Sequence, residues 1–259
     1  MKIYILADME GISGIRTIDQ VRTGGPEYAE GRDLMMADIN AAVSAAFDAG
    51  ADQVVACDTH GGGGQIRMAE MDERAIYETP NAGRLMPALD DSFDGVILLG
   101  HHAREGTQEA FLDHTVSSAS WFEYRLNDQV LGEIGIEAAW AGHYGVPVIA
   151  VSGDEATARE ARADLGEVEC AVVKWAVGRN RARCLPPAKA HEEVRNAVSR
   201  AMESMDRFQA FRPSVPATIQ LTLYRSDMAD DHARHGCVER VDARTVRRRI
   251  DSLLDVVRW

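Results

Sequence analysis

The stretch that decides the fold is IYILADMEGISG, at residues 3–14. It opens with five apolar residues and then places two carboxylates, Asp8 and Glu10, on either side of Met9. A short and uniformly apolar run is typical of a parallel strand that is covered on both faces. Side chains two apart in a strand point the same way, so the two carboxylates should share one side of the sheet edge. Like charges this close need a cation or protons between them, which predicts a metal ion at this edge.

Similar apolar runs alternate with longer amphipathic segments along the rest of the chain. Strands are predicted at 52–58, 95–100, 147–154 and 216–224, with a hairpin at 121–133. Helices are predicted at 27–50, 135–145, 155–166, 188–205 and 242–258. This alternation predicts an α/β fold with a Rossmann-like, mostly parallel sheet flanked by helices.

Proline-rich segments suggest where the chain divides. Pro186-Pro187 and FRPSVP at 211–216 are the best linker candidates. We therefore expect a metal-binding α/β domain at residues 1–165 and a smaller C-terminal α/β subdomain at residues 166–259.

The composition excludes several classes of protein. With 28 basic and 41 acidic residues the formal charge is −13, which argues against a nucleic-acid partner. The first apolar run is too short for a signal peptide and no stretch approaches a membrane span, so we expect a cytoplasmic protein without a membrane partner. The four cysteines form no C-x-x-C pair, so the ligands of any bound metal should be histidines and carboxylates.

Polar side chains that can bind a metal follow several of the predicted strands. Asp8 and Glu10 follow the first strand, His60 follows the second, the His101-His102 pair follows the third, and Glu133 follows the hairpin. Ligands bind at the carboxyl ends of strands in open α/β sheets, so these residues should meet at one edge and suit a zinc ion.

Each of these residues, taken alone, also fits a simpler structural role. An acidic residue at a strand end is often a helix N-cap, and Asp58 is open to that interpretation. Adjacent histidines on an extended segment point in opposite directions, so we expect only one of His101 and His102 in the site. The GGGG run at 61–64 matches no phosphate-binding motif.

Several blocks of the sequence resemble the D-aminopeptidase family first known from a dipeptide-transport operon. They are DMEGISG (8–14), DTH (58–60), HAR (102–104), DHT (113–115), GEIG (132–135), SGDEATAREA (152–161) and AVVKWAVGRNRARCLPPAKA (171–190). The resemblance in these blocks covers the chain to about residue 190. The remaining residues match the family only in general outline. It implies a hydrolase that acts on short peptides or related amides with a free N-terminal amine.

The resemblance also implies roles for individual residues and a large assembly. Asp8 falls on a carboxylate that bridges two zinc ions, with Glu10 and His102 on one ion and His60 and Glu133 on the other. His114 falls on the catalytic histidine. Members of the family form rings of five stacked into decamers, which predicts a homo-oligomer.

Glu137 departs from the family pattern, in which an asparagine is expected. It lies one helical turn after Glu133, so its carboxylate can approach the metal site or the amine of the substrate. The alternative is an exposed helix residue that pairs with solvent or with an arginine. For the whole chain, a metal-dependent amidase for a non-peptide amide, a catalytically silent metal-binding protein and a nucleotide-binding module remain open.

Overall fold

A computed structural model describes residues 1–80 and 83–259 of the chain. The strands, numbered along the chain, are β1 (Lys2–Ala7), β2 (Gln53–Asp58), β3 (Ile76–Glu78), β4 (Gly95–Leu99), β5 (Trp121–Leu126), β6 (Gln129–Leu131), β7 (Val148–Asp154), β8 (Glu169–Gly178), β9 (Arg181–Cys184), β10 (Ala217–Leu223), β11 (Glu239–Arg240) and β12 (Thr245–Ile250). The helices are α1 (Tyr28–Asp48), α2 (Glu133–His143), α3 (Glu155–Leu165), α4 (Pro187–Glu203) and α5 (Ser226–Ala233).

A seven-stranded sheet forms the centre of the molecule, in the order β3-β2-β1-β4-β7-β8-β9. Every neighbouring pair is parallel except the hairpin of β8 and β9. The chain leaves β1 toward β2 on one side, and β4 lies on the other side of β1. The sheet therefore has a topological switch point between β1 and β4, where doubly wound folds bind their ligands.

The two faces of β1 are buried against different elements, which explains its uniformly apolar sequence. Ile3 and Ile5 belong to a core that includes residues of α1 and α4. Tyr4 and Leu6 belong to a second core that includes residues of α2 and of a five-stranded sheet. The prediction of a mostly parallel sheet flanked by helices is confirmed.

The five-stranded sheet is antiparallel, in the order β11-β12-β10-β5-β6. It combines the predicted hairpin at 121–133 with strands from the end of the chain. The seven-stranded sheet meanwhile continues through β8 and β9, beyond residue 165. The division at residues 165 and 166 stays a prediction, and both sheets draw strands from the second half of the chain.

The predicted helix at 242–258 is wrong. Residues Thr245–Ile250 form β12, which pairs with β10, and a short 3-10 helix follows at Leu253–Asp255. The apolar residues Val246, Ile250 and Leu253 have the spacing of a helix face, yet Val246 and Ile250 also share one face of a strand. Pairing with β10 buries both of them and decides between the two conformations.

Within the part of the chain that the structure describes, none of the helices combines the length and the apolar character needed to cross a membrane.

Candidate metal centre

The segment after β1 crosses the end of β4 in close contact. The amide of Gly11 donates a 2.7 Å hydrogen bond to the carbonyl of Gly100. A Cβ atom on Gly11 would lie 2.0 Å from the carbonyl oxygen of His101, so no other residue fits there without a shift of the backbone. This crossing brings the residues after β1 next to the histidines that follow β4.

Asp8, Glu10 and His60 form the first group of possible ligands. The Nδ1 atom of His60 lies 3.1 Å from Oδ1 of Asp8 and 3.0 Å from Oε2 of Glu10. Its other ring nitrogen, Nε2, lies 2.9 Å from the carbonyl oxygen of Val21. That carbonyl fixes the orientation of the ring, as outer contacts of metal-binding histidines commonly do.

His102, His114 and Glu133 form the second group, whose donor atoms lie within 4.8 Å of one another. The Nε2 atom of His102 lies 3.2 Å from Oε1 of Glu133 and 3.3 Å from Oδ2 of Asp8. The rings of His102 and His114 stack with their centroids 4.0 Å apart. Asp8 therefore directs one carboxylate oxygen to each group.

The grouping by distance differs from the pairing that the family resemblance implies. Glu10 lies with His60 rather than with His102, and Glu133 lies with His102 rather than with His60. The five predicted ligands nevertheless lie in one cluster, and Asp8 stands between its two parts. Which ligand binds which ion stays a prediction.

The electrostatics of the cluster favour a cation. Burial disfavours the ionised form of Asp8, but the neighbouring histidines outweigh it and hold the pKa of Asp8 well below its usual range. Burial also opposes ionisation of Glu133, yet His102 lowers the pKa of Glu133 to about 2. Burial opposes a charge on His60, but Glu10 and Asp8 raise the pKa of His60 to about 12. The buried carboxylates thus attract strong positive charge to their centre.

The donor atoms fit zinc. The Nε2 atom of His102 is buried and has no hydrogen-bond partner among residues 1–80 and 83–259, because the oxygens of Asp8 and Glu133 lie close but out of line with it. Its Nδ1 atom is already engaged with the carbonyl of Ala103, at 3.0 Å. Asp8, Glu10 and His60 offer three nitrogen and oxygen donors on one side of the cluster. On the other side, His102 and Glu133 offer three together with the second oxygen of Asp8, and three is the number that catalytic zinc sites commonly take from the protein.

His114 lies on a strained loop. Leu112 and Val116, on either side of it, have positive φ angles of 50° and 57°. The valine is β-branched, so this conformation is costly and persists only where the surroundings fix it. The amide of Val116 donates a 2.8 Å hydrogen bond to Oε1 of Glu133, which ties the loop to the second group.

A cavity of about 670 Å³ opens over both groups. Its lining includes Asp8, Glu10, His60, His114, Glu133 and Glu137. Glu137 is only 2% exposed, so the alternative of an exposed helix residue is wrong. The carboxylates of both groups therefore face this cavity.

A family model described as D-aminopeptidase, peptidase M55, matches residues 1–259. The chain belongs to the D-aminopeptidase family. A D-aminopeptidase of Bacillus subtilis strain 168 is 32% identical over 215 residues, which are 82% of this chain and 78% of that protein. The family suggested by the sequence blocks is thereby confirmed, and so is the class of aminopeptidase.

A solved structure extends the likeness within this family to nearly the whole fold. It is the Zn-dependent D-aminopeptidase DppA from Bacillus subtilis, described as a self-compartmentalizing protease. The TM-score is 0.95 with 28% sequence identity, and the match covers 99% of this chain and 94% of that chain. The agreement includes the mixed α/β architecture predicted from the sequence.

The sequence alone leaves the roles of Asp58 and His101 open, and the structure shows what each of them contacts. Asp58 accepts hydrogen bonds from the amides of His60, at 3.1 Å, and Gln65, at 2.7 Å, so it holds the loop that carries His60. His102 points to the metal cluster and His101 points away, as expected for adjacent residues. His101 instead contacts Glu137, a partner that only the folded chain brings near.

Proposed function

We propose that this chain is an aminopeptidase that holds two zinc ions and cleaves short peptides or amides with a free N-terminal amine, the first residue being a D-amino acid. The proposed ligands are Asp8, Glu10, His60, His102 and Glu133. The observation that carries the proposal is the Asp8 carboxylate, with one oxygen 3.1 Å from His60 and the other 3.3 Å from His102. The likeness to the D-aminopeptidase of Bacillus subtilis supports the D-amino acid, and the solved structure named as a Zn-dependent D-aminopeptidase supports the metal.

The charges of the protein suit this metal content. Bound zinc supplies Lewis-acid polarisation of the scissile carbonyl and acidifies a water molecule. The carboxylates of Asp8, Glu10 and Glu133 offset three of the four charges on two divalent ions. The site can therefore be buried without a large uncompensated charge.

His114 moves protons in this proposal. Its Nδ1 atom lies 2.9 Å from the carbonyl of Leu112, which accepts a hydrogen bond and so keeps the proton on Nδ1. The Nε2 atom is then free to accept a proton or, once protonated, to donate it to the departing amine. This atom lies 3.7 Å from Oε1 of Glu133, at the wall of the cavity.

Glu137 binds the substrate in this proposal. It lines the cavity on the same face of α2 as Glu133, four residues away. A carboxylate at this place favours substrates that carry a cationic amine near the scissile bond.

We also propose that the chain assembles as a homo-oligomer, with the decamer of the family as its form. Trp175 and Val177 lie on the outer hairpin of the seven-stranded sheet and are 38% and 63% exposed. Apolar side chains at a sheet edge are suited to contact with another subunit.

The proposal is tested with a panel of D- and L-aminoacyl amides and dipeptides, with and without a chelator and after zinc is restored. We expect hydrolysis of the D-aminoacyl substrates that stops in the chelator and returns with zinc. Hydrolysis of N-acylated substrates at equal rates would indicate an amidase for another class of amide. Absence of turnover with two bound zinc ions would indicate a silent metal-binding protein.

A further inference from the structure

A second pair of charged side chains lies behind the metal cluster. The Nε2 atom of His101 lies 2.5 Å from Oε2 of Glu137, and both side chains are almost fully buried, at 1% and 3% exposure. Neither residue belongs to the proposed zinc ligands. A buried histidine and carboxylate carry a desolvation cost, so their presence calls for a physical reason.

The backbone of His101 is held on two sides. Its amide donates a 2.9 Å hydrogen bond to the carbonyl of Ser152, at the end of β7. Its carbonyl accepts a 3.3 Å hydrogen bond from the hydroxyl of Thr157 on α3. The Nδ1 atom of the ring lies 3.3 Å from the carbonyl of Leu99. The ring is therefore fixed, and it fixes one oxygen of Glu137 in turn.

The other oxygen of Glu137 remains for a ligand. Among the residues that the structure describes, His101 is the one hydrogen-bond partner of the Glu137 carboxylate. Glu137 also lines the cavity above the metal cluster, together with Glu133 one turn earlier on α2. An oxygen fixed at the wall of a cavity can accept a hydrogen bond from a cationic group of the substrate.

The hydrogen-bonding capacity of Glu137 favours a cationic group as that ligand. Burial disfavours the ionised form of Glu137, the neighbouring His101 favours it, and Glu133 and Asp8 oppose it. A protonated amine at the free oxygen adds a charge-assisted hydrogen bond to the ionised carboxylate, which a substrate without the amine cannot supply.

Resting on the proposed function, in which Glu137 favours a cationic amine, we infer that His101 is the positioning residue that aims the Glu137 carboxylate at the protonated α-amine of the substrate. The pair thereby selects short peptides and amides with a free N-terminal amine over the same compounds without one. Because the role of His101 is to orient Glu137, another side chain at position 101 that keeps the hydrogen bond to Glu137 should keep the selectivity for substrates with a free amine.

The test compares two ligands that differ only in the amine. D-alaninol and 1-propanol, which have no amide to cleave, are titrated calorimetrically into zinc-loaded protein. D-alanine p-nitroanilide and propionyl p-nitroanilide serve as substrates. We expect wild-type protein to prefer the amine compound in binding and in kcat/KM. Glu137→Gln should lower both for the amine compound by about 10-fold to 100-fold, mainly through KM, and leave the compound without an amine unchanged.

Variants of His101 separate positioning from a purely structural role. His101→Leu removes the hydrogen bond to Glu137 and should reproduce the loss of amine selectivity. His101→Gln keeps an N–H donor and should restore most of it. Zinc content and the unfolding midpoint are measured for each variant to show that it is folded and loaded. If His101→Leu does not fold, Glu137→Gln and His101→Gln still decide whether His101 positions Glu137.

Each outcome decides one of the two proposals. Equal losses for both ligands, or no preference for D-alaninol in the wild-type protein, would overturn the inference. Selective binding of D-alaninol that depends on Glu137, without hydrolysis of the D-alanine anilide, would support the inference and refute the proposed function.

Discussion

Glu160→Gln should change how the stability of the protein depends on pH. Glu160 lies on α3 and is 5% exposed. One of its oxygens accepts a 2.9 Å hydrogen bond from the amide of Arg104, two residues after His102. Its other oxygen, Oε1, has no hydrogen-bond partner within residues 1–80 and 83–259. Glu160 therefore supports the segment that carries a proposed zinc ligand, at the cost of a buried carboxyl group.

The size of the effect follows from the pKa of Glu160. Burial raises this pKa from 4.5 to about 7, and Arg104 only partly offsets the increase. The folded state therefore favours the protonated form. This contribution to the unfolding free energy is fully present below pH 4.5 and is lost as the pH rises through about 7. At about 1.4 kcal/mol per pKa unit, the shift corresponds to about 3 kcal/mol.

Urea unfolding at pH 5, 6, 7 and 8, followed by circular dichroism at a fixed zinc concentration, measures this effect. A glutamine cannot ionise, so the variant should gain about 2 to 3 kcal/mol relative to wild type between pH 5 and pH 8. Glu203→Gln, at an exposed position on α4, is the control and should follow the wild-type curve. A constant difference between Glu160→Gln and wild type across this range would refute the reasoning.

Three further variants test the elements that build the site. His114→Ala should keep both zinc ions by elemental analysis while kcat falls by roughly 100-fold or more, and loss of an ion would instead make His114 a ligand. Gly11→Ala should lower the zinc content and the unfolding midpoint together, because its Cβ would lie 2.0 Å from the carbonyl of His101, and normal zinc binding would contradict this. Lys174→Met should weaken zinc binding by calorimetry, because the buried Lys174 donates hydrogen bonds of 2.7 and 2.8 Å to the carbonyls of Glu10 and Ile15. Its unfolding free energy should fall by only about 1 to 3 kcal/mol, since removing a buried charge offsets part of the loss, and unchanged zinc affinity would refute a role in the site.

The central strands could be predicted from the sequence because both of their faces are buried. Strands β1, β2, β4 and β7 each contain a continuous apolar run that is too short for a typical buried helix and suits a strand covered on both faces. The end of the chain could not be predicted in this way. Val246, Ile250 and Leu253 satisfy a helical spacing, and only pairing with a strand more than twenty residues away makes them part of a sheet.

Part of the candidate site could also be predicted from the sequence, and part could not. Asp8, His60 and His102 follow parallel strands, so the geometry of the sheet brings them to one edge whatever the loops do. His114 lies on a loop without periodicity, and only resemblance to a family points to it. The contact of His101 with Glu137 joins a strand end to a helix, and no local pattern indicates it.

The most direct test of the account is a crystal structure of the zinc-loaded protein with anomalous data collected at the zinc edge. The account predicts two anomalous peaks in each chain, both bound by the carboxylate of Asp8, and their joint loss in Asp8→Ala. A single peak, or two peaks of which one has no contact with Asp8, would contradict the bridging role of this residue.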